Sequence, residues 1–122
     1  MRKSLIARTA LIGLASAGPA WANKTAVSLK APESAAAGTE VTIAVAVEHK
    51  GNSRFHHTDW VVIRAGGAEI ARWEFKAGKL PESASFSREV KLKVSGAVEI
   101  EAEGHCNLHG SAGPTSIKIA AR

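Results

Sequence analysis

From Val41 onward the chain alternates apolar and polar residues with a period of two. Val41, Ile43, Val45 and Val47 share one face, with Thr42, Ala44, Ala46 and Glu48 on the other, the mark of a strand buried on one side. The same alternation places Ala71, Trp73 and Phe75 against Arg72, Glu74 and Lys76, and Val90, Leu92 and Val94 against Glu89, Lys91 and Lys93. Val98, Ile100 and Ala102 then alternate with Glu99, Glu101 and Glu103, and Ile117 and Ile119 flank Lys118. Turn chemistry separates these runs at Ala31-Pro32-Glu33, Ala37-Gly38-Thr39, Ala65-Gly66-Gly67-Ala68, Ala77-Gly78-Lys79 and Ser95-Gly96. Gly66-Gly67 predicts a tight hairpin, because primed turns need positive φ. Ala35-Ala36-Ala37 is too short before Gly38 to nucleate a helix. About seven strands at this spacing predict an all-β fold, an immunoglobulin-like antiparallel β-sandwich.

The first residues follow a different pattern. Arg2, Lys3 and Arg8 precede the apolar run Leu11-Ile12-Gly13-Leu14-Ala15, then come Gly18-Pro19 and Ala20-Trp21-Ala22. A charged start, a short apolar stretch and a small-residue A-x-A end make a secretory signal peptide, residues 1–22, cleaved after Ala22. The run is well short of the ~20 residues that span a bilayer. Arg2-Lys3 is not a twin-arginine pair, so the general secretory route is expected. The remaining segment, 23–122, is one small domain, expected in the periplasm or otherwise exported, with no membrane association once the signal is removed.

Charge changes with the same cut. The whole chain carries 16 Lys and Arg against 11 Asp and Glu, a net +5, and Arg2, Lys3 and Arg8 supply three of those charges, leaving about +2. That argues against a nucleic-acid partner. A mild positive bias still favours approach of a small anion.

Cys106 is the only cysteine, so it cannot form an internal disulfide. Alone it is compatible with a small buried apolar residue. His109 lies three positions on, and four of the five histidines lie at strand ends or in loops. Parity adds direction: His49 continues the inward series that ends at Val47, and Cys106 continues Val98, Ile100, Ala102 and Gly104, whereas His105 shares parity with the outward glutamates. A thiolate with several imidazoles is a borderline-soft donor set, suited to iron, copper or zinc.

Glu48-His49, His56-His57-Thr58-Asp59-Trp60-Val61 and Cys106-Asn107-Leu108-His109-Gly110 resemble, in order and approximate spacing, the iron-site segments of the superoxide reductases, the neelaredoxin and desulfoferrodoxin group. Lys24 to Pro32 and the segment from Ala37 to Val41 resemble that family's first strand and following turn. The resemblance implies an immunoglobulin-like sandwich holding a mononuclear non-haem iron, with His49, His56 and His109 as equatorial ligands and Cys106 as the axial thiolate opposite an open position. It further implies reduction of superoxide to hydrogen peroxide, a separate electron-donor protein, and Lys24 as the cation that attracts superoxide and assists protonation. Trp60 is expected in the core, where a buried indole supplies a large apolar area.

This chain departs from the family pattern at several places. Thr25 stands where the family has its first histidine ligand, Asn23 where many members have glutamate, His49-Lys50 where the family has His-Pro, and Ser111-Ala112 where an aromatic is expected. Adjacent strand residues face opposite ways, so His57 is expected to be a non-ligand beside His56, and His105 is expected to face solvent. Two other readings compete. A blue-copper electron carrier also joins Cys and His on an exported sandwich, but the only methionine is Met1, within the predicted signal. A non-catalytic metal-binding accessory protein would account for Thr25. No Gly-x-Ser-x-Gly nucleophile motif and no Cys-x-x-Cys pair is present.

Overall fold

A computed structural model of the chain describes residues 12–16 and 24–122. Most of the predicted signal peptide, and Asn23, lie outside the described residues. Among the described residues nine strands run in order: β1 (Ile12–Ser16), β2 (Ala26–Pro32), β3 (Ser34–Ala35), β4 (Glu40–Glu48), β5 (Thr58–Ala65), β6 (Ala68–Glu74), β7 (Ser85–Lys93), β8 (Val98–Cys106) and β9 (Thr115–Ala121). Seven of these are long strands within 24–122, and five of the seven, β4, β6, β7, β8 and β9, are the alternating runs of the sequence. The two-residue β3 and the segment Ile12–Ser16 are additions to that count.

The strands form two sheets, one in the order β1-β2-β4-β7 and the other β3-β9-β8-β5-β6. Every long pairing is antiparallel, while β3 lies parallel to β9. The apolar stretch Ile12–Ser16 pairs along the edge of β2, from Ile12 opposite Pro32 to Ser16 opposite Ser28. Strand β4 buries Val41, Ile43, Val45 and Val47 in strict alternation, and β8 buries Ile100, Ala102, Gly104 and Cys106. These faces meet Val27, Leu29, Val61, Ile63 and Ile119 in one core between the sheets. Phe75 and Phe86 extend it with an edge-to-face ring contact, centroids 5.4 Å apart, a favoured aromatic geometry.

Strand β5 lies between β8 and β6, and its run Val61-Val62-Ile63 is fully buried. Gly66-Gly67 forms the predicted hairpin to β6, both residues at positive φ. The β5–β8 register shifts between Thr58 and Trp60, so that Thr58 stands opposite Cys106 and Trp60 opposite His105. Trp60 is therefore not a core residue. It sits half-buried on the outer face, stacked on the His105 ring at 4.9 Å with 6° between planes, with the Arg72 guanidinium 5.4 Å from its ring. The alternation explains why: Val61 takes the inward position, and its neighbour must face out.

Candidate metal centre

The sandwich end where β4, β5 and β8 terminate collects the histidines and the cysteine. His49 lies one residue past β4, and Cys106 is the last residue of β8. Both keep the inward parity of their strands and both are buried. His56 comes from the loop between β4 and β5. One donor atom from each of His49, His56 and Cys106 falls in a group whose members all lie within 4.8 Å of one another.

His109, from the loop after β8, lies beside this group of three without belonging to it. Its Nδ1 is 3.2 Å from His56 Nε2 and 3.9 Å from Cys106 Sγ. Two nitrogens held about 2.1 Å from one cation at a right angle lie about 3 Å apart, so this spacing suits shared ligation. The loop owes its shape to a closed turn. Cys106 and Gly110 exchange both backbone hydrogen bonds, each 2.9 Å, and Gly110 takes φ 82°, a conformation that costs a side-chain-bearing residue. The same turn aims the backbone N–H of His109 at Cys106 Sγ, 3.4 Å away, a bond directed at the sulfur that would carry the thiolate charge.

The residues fit a metal on a further observation. His49 Nε2 is buried and has no hydrogen-bond partner among the described residues, a state that needs an explanation in a folded protein. Its other nitrogen, Nδ1, lies 3.3 Å from Asn52 Oδ1. The Asn52 oxygen also accepts the Thr58 backbone N–H at 2.8 Å, and Asn52 Nδ2 donates to Ser83 O at 2.7 Å. These bonds identify the oxygen as the acceptor, so Nδ1 carries the proton and Nε2 presents its lone pair to the group. That is the tautomer a ligand histidine needs.

Asn107 ties together the loops that carry His56 and His109. Its Oδ1 accepts the His57 N–H at 2.9 Å, its N–H donates to His57 O at 3.0 Å, and its Nδ2 donates to Phe55 O at 3.2 Å. Neither Asn52 nor Asn107 belongs to the His and Cys donor types that the sequence points to. The available signal was position: one lies three residues past His49, the other beside Cys106.

The remaining expected positions separate clearly. His57 is buried, with its Nδ1 3.0 Å from Ser53 O, and lies outside the donor group. His105 faces outward, its Nδ1 2.7 Å from Asp59 Oδ1. Thr25 is fully buried beside the site: its Oγ1 lies 2.9 Å from Oγ1 of Thr58, which stands directly opposite Cys106. Gly104 makes this possible, since a Cβ there would fall 2.7 Å from Thr25 Cγ2 and 3.1 Å from Val27 Cγ1. Lys24 is exposed, one residue before Thr25, whose backbone N–H reaches Gly110 O at 3.4 Å and whose O accepts from Ala112 at 3.0 Å. Among the described residues no helix is long and apolar enough to cross a membrane.

A family model described as desulfoferrodoxin matches residues 20–111. Among solved structures, a superoxide reductase (neelaredoxin) from Ignicoccus hospitalis superposes with a TM-score of 0.66 at 21% identity, covering 79% of this chain and 80% of that one. A single-substitution variant of the same protein gives a TM-score of 0.65 at 23% identity, covering 83% of both chains. A candidate superoxide reductase from Thermotoga maritima gives 0.61 at 23% identity, covering 77% of this chain and 83% of that one. At these identities the structural likeness establishes the fold. No curated protein sequence matches the chain.

Proposed function

Because the chain belongs to the desulfoferrodoxin family, we propose that it is a superoxide reductase-like protein with one non-haem iron held by His49, His56, His109 and Cys106. The observation that carries this reading is the buried Nε2 of His49, without a hydrogen-bond partner among the described residues, on a residue grouped with His56 and Cys106. When bound, iron supplies one-electron chemistry, and superoxide, one electron and two protons give hydrogen peroxide.

The chain's own part is to hold and orient. Asn52 fixes the His49 tautomer, Asn107 joins the loops of His56 and Cys106, and the turn closed at Gly110 presents an N–H to the sulfur. Lys24, exposed beside the Gly110–Ser111 backbone, supplies a cation that favours approach of the superoxide anion. The reading includes export by the 1–22 signal and a separate electron-donor protein, since the chain carries no second cysteine motif.

Metal analysis and absorption spectroscopy test it. The oxidised, iron-loaded protein should show a thiolate-to-iron charge-transfer band that Cys106→Ala abolishes. A protein that takes up no iron, or whose band survives that substitution, would sink the assignment.

The Thr25–Thr58 hydroxyl pair favours one second reading, a metal-binding accessory protein without turnover. At the position matching a family histidine, two buried hydroxyls satisfy each other and neither is an imidazole. Inactive wild-type protein that gains iron and activity on Thr25→His would select this reading.

A further inference from the structure

The apolar stretch of the predicted signal has two uses that exclude each other. As a signal it must be a free apolar segment followed by an accessible small-residue end. In the structure the same stretch, Ile12–Ser16, is strand β1, hydrogen-bonded to β2 in antiparallel register from Ile12 opposite Pro32 to Ser16 opposite Ser28. A backbone engaged in a sheet is not available for recognition as a signal.

Strand β1 is built into the sandwich. It ends the sheet β1-β2-β4-β7 and also approaches β9 of the opposite sheet, so it bridges one edge between the two layers. Its partner β2 is held from the other side by β4, from Ala26 opposite Glu48 to Lys30 opposite Ala44, and supplies Val27, Leu29 and Ala31 to the core. Without β1, the N–H and C=O groups along the outer edge of β2 would face water, the open-edge state that folded sheets cover or blunt. The strands β1, β2 and β4 are also near neighbours in sequence, and contacts between near neighbours form faster than distant ones.

The expected cleavage position, Ala22, lies between β1 and β2 in the sequence. A cut there severs the tether, and a short strand released from its chain loses the high effective concentration that keeps it paired. Timing decides which use prevails. At about 5–20 residues per second, the chain from Pro32 to Arg122 takes roughly 5–20 s to make, and folding competes with export within that interval.

We propose that β1 is a folding-gated export switch: a chain that folds first pairs its own signal with β2 and is retained, whereas a chain engaged while unfolded is exported and processed. The proposal rests on the reading of residues 1–22 as a signal, and adds the control of that signal by the fold.

The test compares the purified full chain, folded, with the same chain unfolded in urea and freshly diluted. By hydrogen exchange and mass spectrometry, the segment 12–16 of the folded chain should exchange about tenfold or more slower than in a synthetic 1–22 peptide. Purified signal peptidase in detergent micelles should cut the freshly diluted chain after Ala22 about tenfold or more faster than the folded one, since cleavage follows the open population. Gly13→Pro with Leu14→Pro removes adjacent N–H groups of both parities, so at least one that points at β2. The folded double variant, checked by circular dichroism, should then be cut nearly as fast as its own unfolded form. Rapid exchange at 12–16, equal cleavage of the folded and unfolded wild type, or a folded double variant that still resists would overturn the switch. A chain left uncut at Ala22 in both states would overturn the export reading and the switch with it, and leave the metal-site reading standing.

Discussion

His49 and Asn52 form a pair in which a carboxamide oxygen selects the tautomer of a buried ring. Nδ1 lies 3.3 Å from Oδ1, and that oxygen also takes the Thr58 amide at 2.8 Å. One loop residue therefore links the end of β4, the start of β5 and, through Ser83 O, the loop before β7.

Asn52→Ala should lower metal affinity by about 10–100-fold, the usual effect of losing a partner that orients a ligand. The metal-free protein should lose about 1–3 kcal/mol as well, because the Thr58 amide and Ser83 carbonyl lose their shared partner. Competition with a chelator and thermal unfolding of the apo form separate the two effects. An unchanged affinity would mean that the His49 ring is held by packing alone.

Much of this site was legible in the sequence because parity carries direction. The run from Val41 to Val47 points inward, and His49 follows it; the run from Val98 to Gly104 points inward, and Cys106 follows it. The strand β5 was not legible by alternation, because Val61-Val62-Ile63 is a continuous apolar run in an inner strand, which periodicity cannot assign. Trp60 is expected in the core from its size, while the register shift at Thr58 sets it against His105 on the outer face. The roles of Asn52 and Asn107 depend on contacts to Thr58, Ser83, Phe55 and His57 that no local pattern encodes.

Gly104 and Thr25 should be coupled. Gly104→Ala places a Cβ 2.7 Å from Thr25 Cγ2, and overpacking of this kind costs about 1–3 kcal/mol. Adding Thr25→Ser removes that methyl and keeps the hydroxyl facing Thr58, so the double variant should recover part of the loss. Denaturant unfolding of the two single variants and the double variant gives the coupling. Strict additivity would show that the strain is taken up elsewhere, for instance against Val27.

The outer surface makes a separate pH prediction. The Arg72 side-chain hydrogen bond holds Glu69 below the usual carboxylate range, and Arg88 does the same for Glu82. A lowered folded value means that any stabilisation is present above the unfolded value and lost as pH falls through the folded one. Both glutamates are exposed and screened, so the global effect should be small and should shrink with salt. Carboxylate NMR titration should find both midpoints depressed, with Glu69 returning toward normal in Arg72→Ala and Glu82 in Arg88→Ala. Midpoints that ignore these substitutions would contradict the pairing.

Gly110→Ala should loosen the metal loop specifically. Its φ of 82° strains an alanine, at a cost of order 1 kcal/mol, and the Cys106–Gly110 bond pair holds both Cys106 and His109 in place. Metal affinity should fall with little change in β-sheet content by circular dichroism. Equal affinity would indicate that bound metal alone can impose the turn.

The most direct measurement mixes the ferrous-loaded protein with a known pulse of superoxide and follows hydrogen peroxide and oxygen together. A superoxide reductase site built from His49, His56, His109 and Cys106 should give one hydrogen peroxide for each superoxide consumed, oxidise one iron in the process and release no oxygen. Oxygen release in step with superoxide loss, or decay no faster than in buffer, would contradict it.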